Sequence, residues 1–374
     1  MDKSVSHKAI RRRGLPRRPL IALIFFMAIA VLVAPTSRGD SNNPDIVILW
    51  NGVKLPARNA ALLSPPGVEH ELHFSGVLAE YDVRAAGCDG YAKCSTTGGT
   101  VFWQAPLEPG NYELDVTLEL SPWPRDGEFV AADGVFRTET VTIICLIGYP
   151  SSMMEEGHLN GFKLGDYPDW ENMNNPELYR PPEFFFKVDK SIWNRNISEN
   201  VLLRNLGYDC RSGFPQYSSI HYELVWKLEA ILDELEARGL PAKYYFIGGG
   251  YISPRSNKIR TSRNRAAASL SRHMWGEAVD FIIDTDRNAK MDDVDGNGVI
   301  DVRDAFLVRD VITDLERSGR VVTGGVGVYS PPRNSRIQLH VDVRGFESRW
   351  GIKEYDPEIF ASIPAGKSIR PGGR

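Results

Sequence analysis

Ser271-Arg272-His273-Met274-Trp275-Gly276-Glu277-Ala278-Val279-Asp280 decides how the C-terminal half of this chain is read. Its frame is S-x-H-x-x-G-x-A-x-D. Gly276 permits a tight turn between the imidazole and the carboxylate. Beyond it, Ala278-Val-Asp-Phe-Ile-Ile283 reads as a strand with Asp280 and Val279 on opposite faces. A second imidazole stands in Ile337-Gln-Leu-His340-Val-Asp342-Val343. Period two there puts Gln338, His340 and Asp342 on one face and turns Leu339 and Val341 into a core. Two histidines and one aspartate are a ligand set that leaves zinc an open fourth position. His273, Asp280 and His340 are therefore candidate zinc ligands, and a water held there, acidified to a pKa of ~7, suits amide hydrolysis.

Working outward, Leu224, Val225, Leu228, Ile231, Leu232 and Leu235 recur at helical spacing from Tyr222 onward, and Gly239 with Pro241 ends that helix. Tyr244-Tyr-Phe-Ile247 reads as a buried strand. It runs into Gly248-Gly-Gly-Tyr-Ile-Ser-Pro254, where glycines let the backbone approach another group closely. Arg255 to Arg272 reads as a flexible basic stretch. Between the two motif strands lies Asp293-Val-Asp-Gly-Asn-Gly298-Val-Ile-Asp-Val-Arg-Asp304. Asp293, Asp295, Asn297, Val299 (through its carbonyl), Asp301 and Asp304 fill the oxygen-ligand positions of an EF-hand loop, with Gly298 at the sharp turn. Calcium is the cation that pattern implies, stiffening the domain rather than signalling. Asp304 stands where Glu is usual, which shortens its reach. An amphipathic helix follows over Ala305 to Leu315, ended by Gly319.

The 374 residues carry a net charge of −4. Seven cations and Asp2 in the first 37 residues give +6, leaving −10 for the remainder. The basic charge is thus confined to the N-terminal end (1–19), and with no phosphate-binding Gly loop a nucleic-acid partner is not expected. Leu20 to Ala34 is uncharged and apolar. It is long for a signal-peptide core and shorter than the ~18 residues usual for a span. Pro35 and the poor cleavage site Ser37-Arg-Gly39 favour an inner-membrane anchor with a cytoplasmic basic end; the alternative is a cleaved signal peptide. Either reading exports the chain to the periplasm or cell envelope, with 20–36 as targeting element and 37–44 as linker.

Asp45-Ile-Val-Ile-Leu-Trp50, Tyr112 to Leu120 and Thr138 to Ile147 read as strands separated by Gly/Pro turns. Residues 45–150 are expected to form an all-β, sandwich-like domain without catalytic groups. Residues 151–195, rich in Gly, Pro, Asn and aromatics, read as a connector with one short strand. Its aromatics either pack on neighbouring loops or line a glycan groove. Four cysteines (Cys88, Cys94, Cys145 and Cys210) allow three pairings. Cys88 and Cys94 bracket a short turn-like loop and are the first candidates for a disulfide.

Residues 196 to 352 resemble the zinc D-alanyl-D-alanine carboxypeptidase and murein endopeptidase family of the lysostaphin and hedgehog-like superfamily. The matching pieces are Gly249-Gly-Tyr-Ile-Ser-Pro254 with Asn257, Ser271 to Asp280, Leu339-His-Val-Asp-Val-Arg-Gly345 and Trp350. The resemblance implies an α+β zinc peptidase domain (196–362, before a 363–374 tail) with an antiparallel sheet and flanking helices. It also implies zinc on His273, Asp280 and His340, and peptidoglycan as the substrate. Two positions depart from the family. The Arg expected after Gly-Tyr is Ile252, so Arg255 is the candidate for holding substrate charge. The proton acceptor found ahead of the last ligand in relatives is Gln338, which cannot take a proton. Asp342 is then the candidate either to accept that proton or to orient His340; Glu277 is a weaker candidate for acceptor. These departures also motivate a rival reading, a non-catalytic wall-binding protein. A calcium-dependent adhesin built on the β domain is a third.

Overall fold

Alternating apolar and polar residues build the N-terminal half of the computed structural model, which describes residues 46–76, 81–89, 94–122, 137–207, 213–246, 249–264, 267–331 and 336–352. Nine strands run in order: β1 (Ile46–Trp50), β2 (Val53–Pro56), β3 (Ala61–Ser64), β4 (Glu69–Gly76), β5 (Tyr81–Asp89), β6 (Cys94–Thr97), β7 (Thr100–Gln104), β8 (Gly110–Pro122) and β9 (Arg137–Ile147). They form a five-stranded sheet, β2-β1-β4-β7-β6, and a four-stranded sheet, β3-β9-β8-β5. Asn51 and Gly52 close the first hairpin with φ of 47° and 79°, the left-handed pair that matches strand twist. Ile48, Trp50, Leu72, Phe74, Val101 and Trp103 of one sheet share a core with Leu114, Val116, Leu118, Val141, Ile143 and Cys145 of the other.

The second sheet has no solvent face where β3 pairs with the end of β9. These two strands pair in parallel, Ala61 opposite Ile144 and Leu63 opposite Leu146. Leu62, Ile143, Cys145 and Ile147 point into the N-terminal core. Ala61, Leu63, Ile144 and Leu146 point the other way, into a core that continues to Phe186, Val188, Leu224 and Leu228. A strand buried on both faces reads as a continuous apolar run, which is what Ile143-Ile-Cys-Leu-Ile147 is. Tyr222 seals the junction: its hydroxyl accepts from Leu63 N–H at 3.1 Å, and its ring meets Trp50 edge-on at 4.7 Å. A boundary drawn at residue 150 therefore crosses a shared wall, and the described residues belong to one compact unit.

The segment read as a connector contains β10 (Tyr149–Pro150), β11 (His158–Leu159), β12 (Phe162–Lys163) and β13 (Phe184–Val188), which pairs with β14 (Gln216–Ser218). Its Leu159, Leu164 and Phe185 pack with Tyr217 and Tyr251 in a third core. The buried aromatics thus pack on neighbours. A short helix, α1 (Leu203–Leu206), precedes the long α2 (Tyr222–Ala237). The C-terminal sheet is β15-β16-β18-β17-β19, made of β15 (Tyr244–Phe246), β16 (Ala278–Ile283), β17 (Gly325–Tyr329), β18 (Gln338–Asp342) and β19 (Ser348–Gly351). Only β17 and β19 pair in parallel there. Val279, Phe281, Val326, Val328, Leu339 and Val341 pack under α2 and α4 (Val302–Arg317).

Two local expectations are corrected. Arg255 to Arg272 is not one flexible stretch, since α3 (Pro254–Arg263) occupies its first part. Ser253 caps that helix by accepting from Ser256 N–H at 3.2 Å, with Pro254 in the first turn. Helix α4 begins three residues earlier than expected, because Asp301 and Asp304 form a reciprocal capping box. Cys94 is disulfide-bonded and Cys145 is a buried free thiol. The side chains of Cys88 and Cys210, the apolar segment 20–36 and the tail fall outside the described residues. Among the described residues no helix is long and apolar enough to cross a membrane.

Candidate metal centre

His273 lies on a single 3-10 turn, Arg272–Trp275, that Gly276 ends at φ +69°. A Cβ at Gly276 would meet the Ser219 carbonyl oxygen at 2.2 Å, so only glycine lets this turn dock. The former connector holds the turn from outside. Tyr167 O–H donates to Met274 O at 2.7 Å, Trp275 Nε1–H to Arg180 O at 2.9 Å, and Arg272 Nη1 to Leu178 O at 2.6 Å. Arg272 also pairs with Glu277 and lies over the Trp275 ring at 4.8 Å. Ser271 makes no side-chain cap bond.

Strand register brings the remaining candidate ligands to the turn. Asp280 of β16 is directly opposite His340 of β18, and Ala278 is opposite Asp342. Ligand atoms of His273, Asp280 and His340 all lie within 4.8 Å of one another. The His273 Nδ1 faces the Gly250 carbonyl at 2.6 Å; a carbonyl only accepts, so Nδ1 carries the proton and Nε2 is left toward Asp280 Oδ1, 3.5 Å away. His340 turns Nδ1 to the same Asp280 oxygen at 2.9 Å and Nε2 to Asp342 at 3.2 Å. Each imidazole thus has one nitrogen fixed by an outer acceptor and one directed inward, the arrangement that metal-binding histidines adopt.

The electrostatics fit a cation. Burial opposes charge on Asp280, yet His273 and His340 hold its carboxyl well below the usual range. Burial likewise opposes charge on His340, but its hydrogen bonds to the Asp280 and Asp342 carboxylates outweigh it and push the imidazole up to about 9. The donor set, two neutral-imidazole nitrogens and a carboxylate oxygen, suits zinc.

Asp342, a candidate proton acceptor, has both carboxylate oxygens engaged. It is fully buried, on the far side of the His340 ring from Asp280, and accepts from His340, from Gly325 N–H at 2.7 Å and from Arg344 through both carboxylate oxygens. It orients His340. Glu277, the weaker candidate, is likewise engaged, by Arg272. Arg255 is exposed on the first turn of α3, where its backbone N–H donates to Leu164 O at 2.8 Å. Its side chain makes no hydrogen bond or ion pair among the described residues.

Sequence reasoning missed Tyr329 and the purpose of β17. A Cβ at Gly325 would strike Asp342 Oδ2 at 2.4 Å and the Trp350 ring at 2.7 Å, and one at Gly327 would strike Trp350 Nε1 at 2.5 Å. The glycines leave the sheet face open for that indole, which lies 4.9 Å from the His340 ring. Alternating glycine in Gly325-Val-Gly-Val-Tyr329 was the available signal.

At the acidic insertion, Asp293, Asp295 and Asp304 converge, and Gly298 N–H donates to Asp293 at 2.7 Å. Val299 N–H is held by Asn297 Oδ1 at 2.8 Å. Asp301 is instead the cap of α4 and chelates Arg303. Burial raises the Asp304 carboxyl to about 6, which disfavours leaving it charged without a cation. Nine residues earlier, Asp284, Asp286 and Asp292 form a second acidic group. Its turn repeats the first, with Asn288 and Ala289 N–H donating to Asp284 at 3.0 and 2.9 Å.

No protein-family model matches the chain, and no curated protein matches it. Among solved structures it is similar to a nucleoside hydrolase-related hypothetical protein from Saccharophagus degradans associated with carbohydrate metabolism. That likeness has 13% identity and a TM-score of 0.19, and covers 28% of this chain and 26% of that one. A chimeric titin Z1Z2 carrying an exogenous decorin peptide gives 15% identity and a TM-score of 0.14, covering 27% of this chain and 93% of that one. At these scores neither likeness bears on the fold or the chemistry.

Proposed function

We propose that this chain is an exported zinc peptidase that hydrolyses a bond next to a D-amino acid in peptidoglycan stem peptides or cross-links, as a D,D-carboxypeptidase or an endopeptidase. One observation carries the metal part of the reading: His273, Asp280 and His340 converge while Gly250 O and Asp342 fix the outer nitrogens of both rings. The substrate class rests on the resemblance of residues 196 to 352 to the murein peptidase family.

Zinc bound there would acidify a water and polarise a carbonyl. The chain's own residues do the rest. Asp342, itself held by Arg344 and Gly325 N–H, keeps His340 in the tautomer that presents Nδ1. The Arg272–Glu277 pair and the Tyr167, Leu178 and Arg180 contacts keep His273 in place. In the EF-hand-like loop that bridges β16 to α4, Asp293, Asp295 and Asp304 would hold calcium as a structural ion.

A second reading, a wall-binding protein that retains the metal without turnover, is favoured by Gln338 and by the engagement of both Asp342 and Glu277. Digesting purified sacculi and analysing muropeptides by mass spectrometry separates the two. Zinc-dependent new termini that vanish in His273→Ala are expected; sacculus binding with no new termini in the wild type refutes the peptidase.

A further inference from the structure

Resting on the peptidase reading, we propose that the Tyr329 hydroxyl donates a hydrogen bond to the carbonyl oxygen of the bound peptide as negative charge develops on it. The family's Arg is replaced by Ile252, and Arg255 is exposed on α3, so this charge needs another donor.

Register puts Tyr329 on the right surface. Tyr329 is opposite Gln338 and Gly327 is opposite His340, so Tyr329 stands on the sheet face that carries Asp280 and His340. Its hydroxyl is also fixed. Trp350 Nε1–H donates to the phenolic oxygen at 2.7 Å, and the same indole packs on His340. Indole is a donor only, so the tyrosine oxygen is the acceptor in that bond and its own proton must go elsewhere. Among the described residues no acceptor takes it. The side chain is half-buried. Burial raises the phenol further above neutral pH, so it keeps its proton there.

In the reaction, water adds to the carbonyl carbon, the C–N bond breaks, and the amine leaves with a proton that the water gave up. Tyr329 lends a hydrogen bond throughout and transfers nothing. Such a donor acts more strongly on the charged transition state than on the neutral amide.

The test uses full-length Tyr329→Phe loaded with zinc, with metal content and melting temperature as controls. Turnover of a muropeptide is measured, together with the affinity of a phosphinate dipeptide analogue and of the product peptide by calorimetry. Removing one oxyanion donor is expected to lower kcat about 10²-fold. Phosphinate affinity should fall by a comparable factor while product affinity and zinc content stay at wild-type values. Trp350→Phe, which keeps an aromatic ring on His340 but frees the hydroxyl, should show a smaller loss of the same kind. Wild-type turnover and phosphinate affinity in Tyr329→Phe would overturn the role of Tyr329 alone. Absence of both turnover and phosphinate binding in the wild type overturns the peptidase reading and this proposal with it.

Discussion

Lys227 lies on the apolar face of α2 with no exposed surface. All three of its protons are used, on Glu316 Oε1 at 2.6 Å, Val322 O at 2.9 Å and Asp342 O at 2.9 Å. The last bond ties α2 to the strand end that orients His340. Lys227→Met keeps the length of the stem and deletes the charge. Val322 and Asp342 then lose a donor, while Glu316 keeps Gly324 N–H and Arg349. Breaking a buried ion pair from one side costs about 3–5 kcal/mol. Because Arg349 still neutralises Glu316, the expected loss is at the lower end, about 3 kcal/mol. Urea unfolding of the wild type, Lys227→Met, Glu316→Gln and the double variant measures it, and the cycle should return a coupling of about 1–3 kcal/mol. A loss below about 1 kcal/mol in Lys227→Met, or additive single variants, would refute the claim that this ion pair secures the floor of the metal centre.

Asp342→Asn removes the carboxylate that His340, Arg344 and Gly325 share, and should lower zinc affinity about 10- to 100-fold in competition with a chromogenic chelator. The pH dependence of the metal-free protein follows from His340, whose pKa is raised from 6.5 to about 9. Its stabilisation is complete below pH 6.5 and lost as pH rises through about 9, so urea midpoints of the metal-free protein should fall across that range. The acidic loop gives a pH signature of opposite use. Asp304 is raised from 3.8 to about 6 by burial, so its protonated form is favoured below that pH and competes with calcium. The calcium-induced rise in Tm should be full at pH 7.5 and shrink below pH 6. Asp304→Ala should abolish it while leaving zinc content intact.

The candidate ligand cluster was legible because period two and a glycine turn dictate where His273, Asp280 and His340 project, and register then makes Asp280 and His340 neighbours. Helix α2 was legible through its six regularly spaced apolar residues. Helix α3 was not, since Ile259 is its only large apolar side chain and it is set by a cap and a proline rather than by an apolar stripe. Strand β17 was hidden because alternating glycines imitate a turn; the distant Trp350 and Asp342 that lie against them explain the spacing. Asp342 looked available as a base because its partners, Arg344 two residues on and the Gly325 N–H, come together only once the sheet forms. The joint between the halves was equally invisible. An apolar run such as 143–147 announces burial on both faces but not which partner covers each.

That two-faced wall has a consequence for dissection and for descent. Cutting after residue 150 would leave Ala61, Leu63, Ile144 and Leu146 uncovered on one fragment and Phe186, Val188 and Leu224 on the other. Neither piece is a portable cassette, so heat or urea should melt the two halves in one step rather than two. A β layer that shares its floor with the metal half also could not be exchanged for an unrelated one without rebuilding α2. Changes in the two halves are therefore bound to be selected together.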